Sequence, residues 1–184
     1  RLLQKLTAYA AANHLEIPAV ITTRDNGNAW WPGVGDICLK ANIPLFVYES
    51  SFPADFLALQ PDWFLLLSWK HVIPADLIKI PKSGVLNLHY SLLPAFRGVY
   101  PVNWSIIKGK NVTGYTYHFV NEKIDGGEIF MQAETPVFLS DTARTLQLRL
   151  DNVVCDHFDE FIERLLKFKK RDLADNDQTG SEET

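Results

Sequence analysis

The 184-residue sequence is poor in cysteine, in basic charge and in long apolar runs. Its two cysteines, Cys38 and Cys155, belong to no CxxC or Cys/His spacing, so we expect small core residues in a reducing compartment and no zinc site. No apolar run approaches the roughly 20 residues that span a bilayer. The N-terminus also lacks the order of segments that marks a secretory signal. These absences predict a soluble, cytoplasmic domain without a membrane partner.

Basic charge is also scarce, with a net charge of −4 and a pI near 5.7. Proteins that bind the phosphate backbone of nucleic acids do so through clustered Lys and Arg side chains. A nucleic-acid partner is therefore not favoured. The sequence also shows neither a metal-ligand cluster nor a glycine loop of the kind that cradles phosphate, so we expect no metal.

What the chain does contain is an alternation of strand-like and helix-like segments. "IPAVITT", "IPLFVYE", "DWFLLLSW" and "GVLNLH" are apolar runs of strand length, and "DWFLLLSW" is continuous, as in strands buried on both faces of a parallel sheet. Alternation of this kind predicts an α/β domain whose mostly parallel sheet is flanked by helices.

The C-terminal half predicts further elements. "YPVNWSIIKG" has Pro101 near the start of a helix and Gly109 at its end, and "TGYTYHFV" and "GEIFMQAETPVF" are strand-like. Ser140 and Asp141 are good N-cap residues for one long amphipathic helix, whose apolar stripe runs from Leu146 to Phe168. We expect one domain over residues 1–169 and a disordered acidic tail over residues 170–184.

The chain opens inside a helix, at "LLQKLTAYAAANH". Doubly wound α/β folds normally begin with a strand, often the central one. We therefore expect that the first strand of the domain is missing.

Polar residues end the predicted strand "GVLNLH". Asn87 and His89 share one face of it because side chains alternate along a strand. Ligands of open α/β sheets bind at the carboxyl ends of the strands. Imidazole can move a proton near neutral pH, and an Asn amide can stabilise a developing oxyanion.

A third partner for the imidazole is Asp125 in "NEKIDGGEI", where two glycines let backbone approach a ligand closely. A purely structural interpretation stays open, in which His89 ends a strand and Asp125 opens a turn. His118, within "TYHFV", is expected to face either the cleft or solvent.

Two segments, "LNLHYSLLPAFRGVYPVNWSIIKG" and "TGYTYHFVNEKIDGGEIF", resemble the catalytic domain of the folate-dependent formyltransferase family. The resemblance implies a Rossmann-like fold, N10-formyltetrahydrofolate as donor and a primary amine as acceptor. Asn87, His89 and Asp125 match the catalytic trio of the family. "SWKHVIPADLI" is similar to the segment that lines the pterin pocket. The residues implied to bind the donor are Trp69, Lys70, His71, Val72, Ile124 and Asp125.

The acceptor is predicted from "YPVNWSIIKG", which resembles the motif of members that act on nucleotide-linked amino sugars. Arg97 and Tyr100 are the implied substrate contacts, and assembly into a homodimer is left open. The alternatives are members that act on methionyl-tRNA or glycinamide ribonucleotide, hydrolases of formyltetrahydrofolate, and a non-catalytic folate-binding module or fragment.

Overall fold

A computed structural model describes residues 1–23, 33–67, 69 and 71–168. Its helices are α1 (Leu2–Ala12), α2 (Val34–Lys40), α3 (Ala54–Leu57), α4 (Ala75–Ile78), α5 (Pro101–Ile107), α6 (Ala143–Asp156) and α7 (Phe158–Lys167). Its strands are β1 (Val20–Thr23), β2 (Leu45–Tyr48), β3 (Trp63–Leu67), β4 (Gly84–His89), β5 (Val112–Phe119) and β6 (Ile129–Pro136). None of the helices in these ranges is long and apolar enough to cross a bilayer. The predicted tail, residues 170–184, lies outside the described residues.

The strands form two sheets. β1 and β2 pair in parallel, and a four-stranded sheet has the order β3-β4-β5-β6. β3 and β4 pair in parallel, whereas β5 and β6 are antiparallel to their neighbours. Four of the six strands in the described part of the chain thus take part in parallel pairings. The predicted α/β, Rossmann-like fold is confirmed, and the missing first strand stays a prediction.

The core lies between the four-stranded sheet and helices α6 and α7. Leu86 and Leu88 on β4 are 1% and 4% exposed and contribute to this core. The ring of Tyr117 on β5 stacks on Phe161 of α7 at a centroid distance of 3.8 Å. Because side chains alternate along β4, packing of its leucines against this core directs Asn87 to the other face.

The predicted long C-terminal helix is two helices, which corrects the single element expected from the apolar stripe. The break falls at His157, whose backbone ψ of 3° departs from the α-helical value and which ends α6 and begins α7. Its Nδ1 lies 3.0 Å from the hydroxyl of Tyr115 on β5. A three- and four-residue apolar period continues through such a break, so the pattern by itself does not reveal it.

The start of α6 also differs from the prediction. The N-cap is Thr142, in a capping box with Thr145, and neither Ser140 nor Asp141 takes that place. The Asp141 carboxylate instead accepts two hydrogen bonds of 2.7 Å from the Arg149 guanidinium. An acidic side chain just before a helix can serve either as the N-cap or as the partner of a cation. Arg149, eight residues later, selects the ion pair for Asp141.

Candidate active site

The candidate site lies at the carboxyl edge of β3 and β4. In the parallel register Leu67 of β3 lies opposite Leu88 of β4, so the two strands end together. Asn87 is half-buried and His89 is buried at this edge. Such edges are where open α/β sheets bind ligands.

Asp125 reaches these two residues from the loop between β5 and β6. Its Oδ2 lies 3.5 Å from Nδ1 of His89, and its Oδ1 accepts a long contact of 3.5 Å from Nδ2 of Asn87. The Asp125 side chain is only 13% exposed. The fold therefore brings together the three predicted catalytic residues, and their roles stay a prediction.

His118 is a fourth member of this cluster. It lies opposite Asn87 in the antiparallel register of β4 and β5, and its side chain is 2% exposed. Its Nδ1 lies 2.9 Å from the carbonyl oxygen of Phe119, which can only accept, so Nδ1 is the protonated nitrogen. Nε2 is then the acceptor for Nδ2 of Asn87 at 3.1 Å, with Asp125 Oδ1 at 3.4 Å.

This arrangement orients the Asn87 amide. Both neighbours of its Nδ2, the Nε2 of His118 and the Asp125 carboxylate, are acceptors, so the NH₂ group faces them. Sequence reasoning left the direction of His118 open. The signal that could have placed it is cross-strand pairing, which requires the register as well as the alternation.

His89 is anchored by the loop that follows β4. Its Nε2 lies 2.8 Å from the carbonyl oxygen of Phe96, so Nε2 carries a proton and Nδ1 faces Asp125. Burial lowers the pKa of His89 below its usual value, and the Phe96 hydrogen bond and the charge of Asp125 offset only part of that effect. The imidazole is therefore held neutral near pH 7, with its free nitrogen directed into the cluster.

Asp125 is held as a carboxylate. Burial by itself would raise its pKa, but the hydrogen bond from the Gly98 amide and the two neighbouring imidazoles, which favour the carboxylate when the nitrogen that faces it is protonated, outweigh burial and lower the pKa. The Gly98 N–H donates to Oδ2 at 2.8 Å. The backbone of Asp125 is left-handed, with φ of 46°. At Gly127, an added Cβ would overlap the Phe119 carbonyl oxygen, so the turn that presents Asp125 requires glycine there.

The loop from Ser91 to Gly98 supplies two of these backbone partners, and Thr116 of β5 ties it to the sheet. The fully buried Thr116 hydroxyl donates to the Ser91 carbonyl at 2.6 Å and accepts from the Leu93 amide at 3.2 Å. Gln132 of β6 adds a bond of 2.7 Å to the same hydroxyl. This network holds the loop in the position that presents the Phe96 carbonyl and Gly98 amide.

An aromatic cluster flanks the edge on the side of β2 and β3. Trp69, which follows β3, lies 5.3 Å from Tyr48, 5.8 Å from Phe52 and 5.6 Å from His71 between ring centroids. The Nε1 atom of Trp69 is buried and has no hydrogen-bond partner among the described residues. An unpaired buried donor among aromatic rings fits a heteroaromatic ligand that brings an acceptor.

The other predicted contact residues are exposed near this edge. Val72 is 78% exposed, Ile124 is 68% exposed and Tyr100 is 72% exposed. Arg97 is exposed as well, one residue before Gly98. Lys70 lies outside the described residues. Within those residues no group of three or more His, Cys, Asp or Glu side chains is placed to hold a metal ion.

The cluster combines a directed amide N–H, a neutral imidazole and a carboxylate within contact distance. The amide can donate to negative charge that develops on an oxygen. The imidazole, oriented by the Phe96 carbonyl, can accept a proton at Nδ1 from an attacking group. These capabilities suit transfer of an acyl group to a nucleophile.

Comparison with known proteins points to the same chemistry. The family model described as formyl transferase matches residues 35–158. The methionyl-tRNA formyltransferase of Thermodesulfovibrio yellowstonii is 31% identical over 153 residues, which cover 81% of this chain and 49% of that protein. The corresponding protein of Koribacter versatilis is 34% identical over 147 residues, covering 77% of this chain and 47% of its own length. The chain thus spans about half the length of the curated relatives it matches.

Solved structures with a similar fold include other formyltransferases. Phosphoribosylglycinamide formyltransferase from Anaplasma phagocytophilum superposes with a TM-score of 0.76 at 24% identity, covering 93% of this chain and 82% of that one. A sugar 3N-formyl transferase, crystallised in the presence of dTDP and 5-N-formyl-THF, has a TM-score of 0.68 at 21% identity, covering 88% and 59%. At these identities the likeness establishes the fold alone. The match of the family model over residues 35–158 shows that the chain belongs to the formyl transferase family.

Proposed function

We propose that this chain is the catalytic part of an enzyme that transfers a formyl group from N10-formyltetrahydrofolate to a primary amine. The observation that carries the proposal is the cluster of Asn87, His89 and Asp125 at the carboxyl edge of the sheet. Membership of the formyl transferase family supports the reaction class.

In the proposed reaction the amine nitrogen bonds to the formyl carbon while the bond from that carbon to N10 breaks. The Asn87 amide donates to the formyl oxygen as it gains negative charge. One amide hydrogen of Asn87 makes a hydrogen bond of 3.1 Å to His118, whereas the contact of the other with Asp125 is long, at 3.5 Å. The second hydrogen is therefore the one available to an incoming oxyanion.

The proton balance assigns the remaining roles. The attacking amine loses a proton and N10 of the departing folate gains one. His89 Nδ1 is the unprotonated nitrogen, and Asp125 Oδ2 lies 3.5 Å from it. At this separation the N–H of the attacking amine can be directed toward both acceptors. Asp125 stabilises the imidazolium that forms when His89 accepts this proton.

The donor is proposed to bind where Trp69, His71 and Val72 leave β3, with Ile124 on the opposite loop. The buried, unpaired Nε1 of Trp69 supports a ligand with ring acceptors. The exposed apolar surfaces of Val72 and Ile124 suit a flat pterin ring.

For the acceptor, methionyl-tRNA is better supported than the amino sugar that the sequence motif predicted. The curated relatives at 31% and 34% identity are named methionyl-tRNA formyltransferases. The sugar 3N-formyl transferase shares the fold at 21% identity, and the amino-sugar prediction is unconfirmed. Arg97 and Tyr100, exposed beside Gly98, are the proposed acceptor contacts.

A thermal melt with and without a stable formyl-folate analogue tests the donor site. At a hundredfold excess over its dissociation constant, a ligand of the native state adds about 2.7 kcal/mol. For a domain of this size the midpoint then rises by roughly 5–10 °C. A cooperative melt that the analogue does not move would contradict the proposal and favour a module without folate. Formylation assays with methionyl-tRNA and with an amino-sugar nucleotide then identify the acceptor.

A further inference from the structure

Charge is distributed unevenly along this acidic chain. Residues 77–121 contain no acidic side chain and five basic ones, namely Lys79, Lys82, Arg97, Lys108 and Lys110. The rest of the chain holds the other 13 basic residues and all 22 acidic residues. The net charge of −4 therefore hides a positive segment, and this segment contains β4, the loop after it and α5.

Helix α5 has a buried face and an exposed face of unusual composition. Val102 and Ser105 face inward, and Val102 packs with Leu146 and Leu150 of α6. On the outer face Trp104 is 44% exposed and Ile107 is 67% exposed. Large side chains clustered on a solvent-facing helix side mark an interaction surface more often than a scattered exposed leucine does.

This exposed face adjoins the candidate active site. The Gly98 amide holds Asp125, and Tyr100 follows two residues later, a chain distance of at most about 7 Å. The Trp104 amide donates to the Tyr100 carbonyl at 3.1 Å, so the two residues occupy successive turns. Lys110 Nζ lies 6.0 Å from the ring centroid of Phe96, whose carbonyl binds His89.

We infer that this surface binds the single-stranded end of the RNA that carries the acceptor amine. The α5 surface is defined by Arg97, Tyr100, Trp104, Ile107, Lys108 and Lys110. Basic groups neutralise backbone phosphates, and exposed aromatic rings stack on successive bases in proteins that bind single strands. The inference rests on the proposed function, because it assigns the docking surface for the acceptor of that reaction.

The length of the surface favours a strand over a single nucleotide. Arg97 precedes α5, whereas Lys108 and Lys110 follow its seven residues. A helix of this length extends about 10 Å, so the basic groups lie at both ends of the aromatic stretch. A strand with several phosphates can contact the basic groups at both ends of the α5 surface. A nucleoside diphosphate carries its negative charge at one end only and can contact one of these groups.

The test is the binding of a fluorescein-labelled single-stranded hexaribonucleotide, followed by anisotropy over a series of salt concentrations. Trp104→Ala should weaken binding about tenfold or more and leave the salt dependence unchanged, because stacking releases no counterions. Trp104→Phe should restore most of the affinity. The double variant Lys108→Gln/Lys110→Gln should reduce the slope of log K against log salt by about 0.7 for each phosphate that it no longer neutralises.

Lys167→Gln is the matched control, since it removes one positive charge from α7 at a side chain that is 80% exposed. It should change neither the stacking contribution nor, beyond a small general effect, the slope. Cooperative melts of every variant confirm that each one is folded.

Three results would overturn the inference. The first is that the folded chain does not bind the hexamer, and the second is that Lys167→Gln weakens hexamer binding as much as the double variant does. The third is that dTDP competes with the labelled hexamer as strongly as unlabelled hexamer does. The last result assigns the surface to a single nucleotide. Stabilisation by the formyl-folate analogue is measured separately. A folate shift without RNA binding overturns only the docking surface, and RNA binding without a folate shift overturns the proposed reaction.

Discussion

Truncation of Asn87 is the most direct test of the proposed oxyanion role. In Asn87→Ala both interactions of Nδ2 disappear, the 3.1 Å bond to His118 and the 3.5 Å contact with Asp125. His118 keeps its bond to the Phe119 carbonyl and Asp125 keeps its bond to the Gly98 amide, so both neighbours retain anchors. We therefore expect the fold to survive and the effect to fall on the transition state.

The magnitude follows from the value of one oxyanion donor, about 3–4 kcal/mol. That free energy corresponds to a rate loss on the order of a hundred- to a thousandfold. The loss should appear in kcat and kcat/KM together, because the donor acts on charge that develops only in the transition state. Stabilisation by the folate analogue should be retained.

The assay is formyl transfer under steady-state conditions, with the thermal shift by the analogue measured in parallel. Asn152→Ala is the control, since it removes an exposed amide from α6. A rate loss below about threefold in Asn87→Ala would refute the assigned role. A loss of the folate shift together with activity would show that Asn87 positions the donor instead.

Three further predictions address the surroundings of the site. Asp125→Asn should lower the pKa of His89 further, because the carboxylate is one of the groups that offset the effect of burial; a histidine NMR titration with an unchanged or higher pKa would contradict this. The pKa of Asp141 is held well below its usual value by its hydrogen bonds with an arginine, so its contribution to stability is present above pH about 4 and lost as pH falls through the depressed pKa. Urea unfolding of Asp141→Asn should therefore show a flatter loss of unfolding free energy in acid than the parent chain. Gly127→Ala would place its Cβ on a carbonyl oxygen of β5, so it should lower the melting midpoint and activity far more than Gly109→Ala. At Gly109 an added Cβ meets no atom of the described residues within 4 Å beyond its chain neighbours, and the left-handed φ costs roughly 1–2 kcal/mol.

The sequence by itself determined the order of the strands and the residues at the carboxyl end of β4. Apolar runs of strand length mark β1 to β4, and alternation along β4 places Asn87 on the face opposite the core leucines. These features depend on local periodicity, which is readable from residue order. Net charge was a weaker guide, because it averages over the whole chain and hides the basic segment around α5.

Tertiary structure alone decided which distant residues meet. The cross-strand register sets His118 opposite Asn87, and packing on β5 coincides with the break between α6 and α7 at His157. The protonated nitrogen of His89 depends on the Phe96 carbonyl, seven residues away across a turn. Such contacts join elements whose separation in sequence carries no periodic signal, so their geometry arises only when the chain packs.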